Sequence, residues 1–238
     1  TGEAINLTNC VATIEHNRIE GVANGDDAID INADWVHASP TPVAIEGNVI
    51  LRSSGDGIDL GGCSPVIRGN LIYLCADKAI SLGEGSDARV ENNILMMSGT
   101  GIAVKDGSNP LIVNNTIVKN GVGLSYYEKE AGYGGGRGKV MNCIVWANDV
   151  GVRYDGLSLP NLSYTLVGGD SPWPGEGNLI TAAMPRRKGK RRTREDAETT
   201  TSTVLLRDLC HLGPLCCPFT VLSPVTTWFR GPALVSDL

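Results

Sequence analysis

Val66-Ile67-Arg68-Gly69-Asn70-Leu71-Ile72, Val90-Glu91-Asn92-Asn93-Ile94-Leu95 and Ile112-Val113-Asn114-Asn115-Thr116-Ile117 decide the architecture of this chain. Each stretch carries an asparagine with an isoleucine or leucine two places after it. Working outward, the same pair recurs at Asn17, Asn48 and Asn142, and the six asparagines are separated by 31, 22, 23, 22 and 27 residues. A further step of 22 reaches Tyr164, with Leu166 two places on. A repeat of this length is the signature of a stacked architecture.

A second column runs in phase with the first. It reads Ala28-Ile29-Asp30-Ile31, Gly57-Ile58-Asp59-Leu60, Ala79-Ile80-Ser81-Leu82, Gly101-Ile102-Ala103-Val104, Gly123-Leu124-Ser125-Tyr126 and Gly151-Val152-Arg153-Tyr154. Small, apolar, variable, apolar is period-two alternation, so the apolar pair faces one side and the variable residue the other. Each block is too short for a helix. Two or three short strands per repeat, joined by tight turns, build a coil whose successive rungs pair in parallel, roughly 4.8 Å apart. Asparagine tolerates the left-handed backbone of a sharp corner, and stacked asparagines pass amide hydrogen bonds from rung to rung. Tyr164 interrupts the column and is expected to mark where the coil ends.

The three quoted stretches resemble the right-handed parallel β-helix repeat proteins of the pectate-lyase-like superfamily, over about residues 1 to 180. That resemblance implies polysaccharide lyases, glycoside hydrolases or epimerases among the relatives, and also secreted repeat regions without assigned chemistry. Asp77 to Ser86 and Gly101 to Asp106 look most like the last group. Gly25-Asp26-Asp27-Ala28-Ile29 looks like the paired-aspartate strand of polygalacturonases. Asp77 to Gly83 lies where a Gly-His-Gly strand would follow, but Lys78 stands near the place of the histidine. Gly101 to Lys105 is loosely similar to the Arg-Ile-Lys strand, without the arginine.

The 238 residues suit one elongated domain, and 5% aromatic residues with 30 glycines fit a narrow coil of many corners. No apolar run approaches a membrane span. No signal-peptide pattern stands at Thr1, and the chain opens within a repeat, so it is expected to be part of a larger polypeptide. The pattern stops near residue 183. Residues 184–238 hold nine Lys and Arg against five Asp and Glu, whereas residues 1–183 hold 11 against 21. The run Pro185 to Arg194 reads PRRKGKRRTR, either a nucleic-acid patch or part of a disordered, non-native extension. The expectation is the extension, with no nucleic-acid partner. Cys10, Cys63, Cys75 and Cys143 show no repeated spacing and are expected to be buried free thiols.

Acidic residues gather in the early repeats: Asp26, Asp27 and Asp30, then Asp56 and Asp59, then Asp77 and Glu84. Asp30 and Asp59 share one outward slot, roughly 5 Å apart across a rung. Such a pair titrates as a coupled unit. It suits a general acid beside a base, as in glycoside hydrolysis, or a bound Ca²⁺, or it is a solvated acidic stripe whose aspartates cap their own turns. Two long repeats place insertions after the first strand: Asn32 to Thr41, with Trp35 and His37, and Ser125 to Lys139, with Tyr127 and Tyr133. Stacking sets them on one side, roughly 20 Å apart, as walls of an acidic groove with aromatic sides that suits a sugar chain. Tyr126 falls on an inward position.

The reading is an all-β, right-handed parallel β-helix of about seven rungs over residues 1–183, with an unpatterned tail at 184–238. Its expected role is an extracellular or cell-surface module that binds or cleaves a polysaccharide. The alternative is a non-catalytic structural or adhesion repeat of a larger surface protein. The catalytic candidates are Asp27, Asp30, Asp56, Asp59 and Lys78. Trp35, Glu84, Lys105, Asp106, Tyr127 and Tyr133 are the candidates for sugar contacts, and Asp30 with Asp59 for Ca²⁺.

Overall fold

A computed structural model describes residues 2–33 and 43–181. Trp35 and His37 of the first insertion, and the tail at 184–238, lie outside the described residues.

Three parallel sheets wrap a single core. The first sheet stacks β1 (Ile5–Thr8), β4 (Ile29–Asn32), β7 (Ile58–Gly61), β10 (Lys78–Gly83), β13 (Thr100–Lys105), β16 (Val122–Tyr127) and β19 (Val150–Tyr154). The second stacks β2 (Ala12–Glu15), β5 (Val43–Glu46), β8 (Val66–Arg68), β11 (Arg89–Glu91), β14 (Leu111–Val113), β17 (Lys139–Met141) and β20 (Asn161–Ser163). The third stacks β3 (Arg18–Glu20), β6 (Val49–Leu51), β9 (Leu71–Tyr73), β12 (Ile94–Met96), β15 (Thr116–Val118), β18 (Ile144–Trp146), β21 (Leu166–Gly168) and β22 (Leu179–Thr181). One strand from each sheet makes a rung, so seven rungs are complete and β22 adds a further strand.

Register puts like on like. Ile29, Ile58, Ile80, Ile102 and Leu124 stack in the first sheet. Ile45, Ile67, Val90, Ile112 and Val140 stack in the second, and Ile50, Ile72, Leu95, Ile117 and Val145 in the third. All fifteen are fully buried. β-Branched side chains fill these columns because they pack well on a pleated surface, and each buried aliphatic side chain is worth roughly 1.5–3 kcal/mol. Tyr126 joins this interior at 1% exposure, as its inward slot requires. Cys63, Cys75 and Cys143 are buried free thiols, while Cys10 is half-buried and also free.

The corner between the second and third sheets corrects the asparagine column. The left-handed residue is the one before each ladder residue: His16, Gly47, Gly69, Asn92, Asn114, Asn142, Tyr164 and Gly177 all have positive φ. The inward ladder is Asn17, Asn48, Asn70, Asn93, Asn115, Cys143, Thr165 and Asn178. Asn142 and Tyr164 therefore sit at the corner and not in the ladder. Nor does the ladder end at Tyr164: Cys143 N–H donates to Thr165 Oγ1 at 3.3 Å, and Thr165 N–H to Asn178 Oδ1 at 3.0 Å. Within the asparagine run each Oδ1 accepts the backbone N–H and the amide of the asparagine one rung earlier, at 2.9–3.1 Å. Each amide of Asn48, Asn70, Asn93 and Asn115 also donates to a strand carbonyl of the earlier rung, at 2.8–2.9 Å. These polar side chains are buried with their donors met.

Candidate functional site

The outward face of the first sheet carries three columns of variable residues. Asn6, Asp30, Asp59, Ser81, Ala103, Ser125 and Arg153 are register partners in one slot. Asp27 and Asp56, which precede β4 and β7, share a second slot with Lys78, the first residue of β10, and Asn32, Gly61, Gly83, Lys105 and Tyr127 occupy a third.

Asp30 and Asp59 are neighbours across a rung, as the period-two reading demands. The Asp30 oxygens accept hydrogen bonds from Asn32 at 2.8 Å and Asn6 at 3.1 Å. Burial and the adjacent Asp59 push its carboxyl above the usual range. Asp27, Asp56 and Asp59 converge, one oxygen of each lying within 4.8 Å of the other two. Asp27 Oδ1 accepts the Asp56 N–H at 2.5 Å, and Asp56 Oδ1 accepts the Lys78 N–H at 2.8 Å. These two aspartates thus form a ladder of their own along the corner. Burial raises Asp27. It raises Asp56, 4% exposed, to about 6, against the pull of Lys78.

Two lysines face the cluster. Lys78 Nζ lies 3.3 Å from both Asp56 oxygens and 2.5 Å from Asp77. Burial works against its charge, but Asp56 and Asp77 outweigh that cost and hold the ammonium above the usual lysine range. Lys105, from two rungs further on, brings Nζ to 3.6 Å from Asp59 Oδ1. Gly83 makes this reach possible, since a Cβ there would meet Lys105 Cε at 2.8 Å. Tyr127 is the register partner of Lys105. Burial raises its phenol, while Lys105 and Lys78 favour the phenolate.

Beyond Lys78 the face opens into a depression of about 370 Å³ lined by Lys78, Thr100, Ser125, Tyr127, Arg153 and Tyr154, among others. Arg153 and Ser125 escaped the sequence-based candidates, although their slot is that of Asp30 and Asp59. The signal was present in the block Gly151-Val152-Arg153-Tyr154.

The second insertion is a pinned loop. Asp106 Oδ1 accepts the N–H groups of Lys129 at 2.7 Å and Glu130 at 2.9 Å, Glu128 N–H donates to Asp155 at 2.7 Å, and Glu128 Oε1 accepts from Gly132 and Gly134. Asp106 is 1% exposed at a positive-φ corner. Its carboxylate is buried beneath the loop and holds it in place. Tyr133, on this loop, is 51% exposed. Glu84 stands at the equivalent left-handed corner one rung earlier, half-buried, with Oε2 over Gly61.

The donor set suits a divalent cation poorly. Asp30 has both oxygens engaged by side-chain amides. The three converging carboxylates spend one oxygen each on a backbone amide or an ammonium, and two fixed positive charges stand beside them.

A family model described as the right-handed beta helix region matches residues 3–162. No curated protein and no solved structure matches the chain.

Proposed function

The chain belongs to the right-handed β-helix family, and on that premise we propose that it is a carbohydrate-binding module that holds a polysaccharide along the outward face of its first sheet. The observation that carries this reading is the lateral pairing of Asp30 and Asp59 next to the Asp27–Asp56 corner, continuous through Lys78 with the depression lined by Ser125, Tyr127 and Tyr154. Carboxylates accept hydrogen bonds from sugar hydroxyls, and tyrosine rings pack on the apolar faces of sugar rings. The setting that goes with this reading is extracellular or at the cell surface.

Cleavage at the same place would fall to the carboxyl cluster. Asp56 keeps a proton up to about pH 6 beside the carboxylates of Asp27 and Asp59, which is an acid next to bases. Their 4.8 Å convergence is tighter than the roughly 6.5–9.5 Å that leaves room for a water in inverting hydrolysis. Lys78, held protonated, serves as a cation and not as a proton-abstracting base.

Binding to a glycan panel, read together with reducing-end release and 4,5-unsaturated product, tests the proposal. Asp30→Asn, Asp59→Asn is expected to weaken binding about tenfold or more, since hydrogen bonds to a charged group are worth roughly 1.5–3 kcal/mol. Unchanged binding and turnover in that variant reject the site. The second reading, a non-catalytic structural or adhesion repeat, draws on the backbone bonds that Asp27 and Asp56 make between rungs. It is overturned by saturable glycan binding at this face or by release of either product.

A further inference from the structure

We infer that the ammonium of Lys105, with that of Lys78, occupies the place in the carboxylate cluster that a divalent cation would otherwise take, so that the site carries its counter-charge within the chain. The inference is independent of the glycan reading. Four carboxylates gather on two adjacent rungs, and three of them converge within 4.8 Å. Like charges so close require a positive partner, and clustered carboxylate oxygens are the donors that Ca²⁺ prefers.

The chain supplies that partner by construction. Lys105 is rooted on β13, two rungs from Asp59, and its side chain is 8% exposed. Its stem crosses β10 at Gly83, where a Cβ would meet Cε at 2.8 Å and Cγ at 3.4 Å. The missing side chain at 83 is therefore the channel through which the ammonium reaches the acids. Asp59 Oδ1 is buried without a hydrogen bond, and so is the hydroxyl of Ser81, its register partner. Among the described residues Lys105 is the cation that faces Asp59. On the other flank Lys78 takes both oxygens of Asp56. A dication entering here would meet two ammonium groups at close range. The tethered ammonium, in contrast, loses no translational freedom on arrival.

Calorimetric titration of the full chain with Ca²⁺ tests the assignment. Wild type and Lys105→Arg are expected to show no saturable uptake that depends on Asp59. Lys105→Met keeps the stem and removes the charge, and is expected to create a site with Kd on the order of 10⁻⁴–10⁻³ M that is lost again when Asp59→Asn is added. Its melting temperature should then rise with Ca²⁺ while that of wild type does not. Gly83→Ala, which displaces the stem without removing its charge, is the second variant and should open the same site. The inference is overturned if wild type binds Ca²⁺ through Asp59 as tightly as Lys105→Met, or if the folded variants, checked by circular dichroism, take up no ion.

Discussion

Asp56 shows what burial does to a single group. Its carboxyl is raised to about 6 chiefly because burial removes water from the charge, and the Lys78 ion pair recovers only part of that loss. The unfolded chain protonates the same group near 3.9, so between these values the folded state binds more protons than the unfolded one. Stability therefore falls as pH rises from about 4 to about 6 and levels off above. A shift of this size is worth on the order of 3 kcal/mol. Asp27 and Asp30, also raised by burial, slope the same way. Denaturant melts should show wild type more stable near pH ~4.5 than near pH ~7, with the difference shrinking in Asp56→Asn. An undiminished slope in that variant would assign the effect elsewhere. The residue scale is also where the sequence was only half legible. Asp30 and Asp59 could be paired from it because period two assigns them to one slot of adjacent rungs. The reach of Lys105 could not, because it depends on an absent Cβ at Gly83 and on a diagonal across two strands. The capture of Asp106 by the amides of Lys129 and Glu130 is equally invisible in a linear pattern, which marks the aspartate only as a turn residue.

At the scale of the element, each corner couples one left-handed residue to one inward ladder side chain. The same device recurs at the other corners. Ser98 N–H donates to Asn120 Oδ1 at 2.9 Å and Asn120 N–H to Asn148 Oδ1 at 2.8 Å, while Ser86 N–H donates to Ser108 Oγ at 3.1 Å. The asparagine spacing reveals the rung length because this short side chain supplies both an acceptor and two donors close to the backbone. It misplaced Asn142 by one residue because asparagine also suits the left-handed corner, so two adjacent positions compete for one residue type. Cysteine fills the ladder slot at 143, where Asn115 N–H meets Sγ at 3.4 Å and the Asn115 amide at 4.0 Å. Sulfur is a weak acceptor. Cys143→Asn should restore the amide relay: its Oδ1 would replace the sulfur, and its amide would face the Ile112 carbonyl, now 3.7 Å from Sγ. The expected gain is about 1 kcal/mol, read as a rise in melting temperature. Asn93→Ala should do the reverse and cost several times as much, since it leaves the backbone N–H of Asn70 and one of its two amide hydrogens without an acceptor in the core.

For the molecule as a whole, order along the stack decides where rigidity lies. Every strand pairs only with strands of the adjacent rungs, and the Lys105–Asp59 pair reaches one rung further, so stability is close to a sum of rung terms and nearest-neighbour interfaces. Strands β7 to β15 are paired on both sides, whereas β1, β2 and β3 open one end of the described stack and β19, β20 and β22 the other. Burial follows the same gradient in the inward column of the first sheet: Ile58, Ile80 and Ile102 are fully buried, whereas Ile5 and Val152 at its two ends are only partly so. Asp56, Asp59, Lys78 and Lys105 all lie on rungs three to five, the middle of the described stack. A site that must hold like charges together belongs there, because its geometry is fixed by strands that open least often. Hydrogen exchange of the native chain should therefore be slowest for amides of β7, β10 and β13, with protection falling toward β1 and β19. Because Asp56 Oδ1 accepts the Lys78 N–H and so joins rungs three and four, Asp56→Ala, which removes that acceptor, should raise exchange at β10 more than at β16. Uniform protection along the stack, or a response to Asp56→Ala no larger at β10 than at β16, would show that the rungs open as one unit and that position in the stack confers no rigidity on the site.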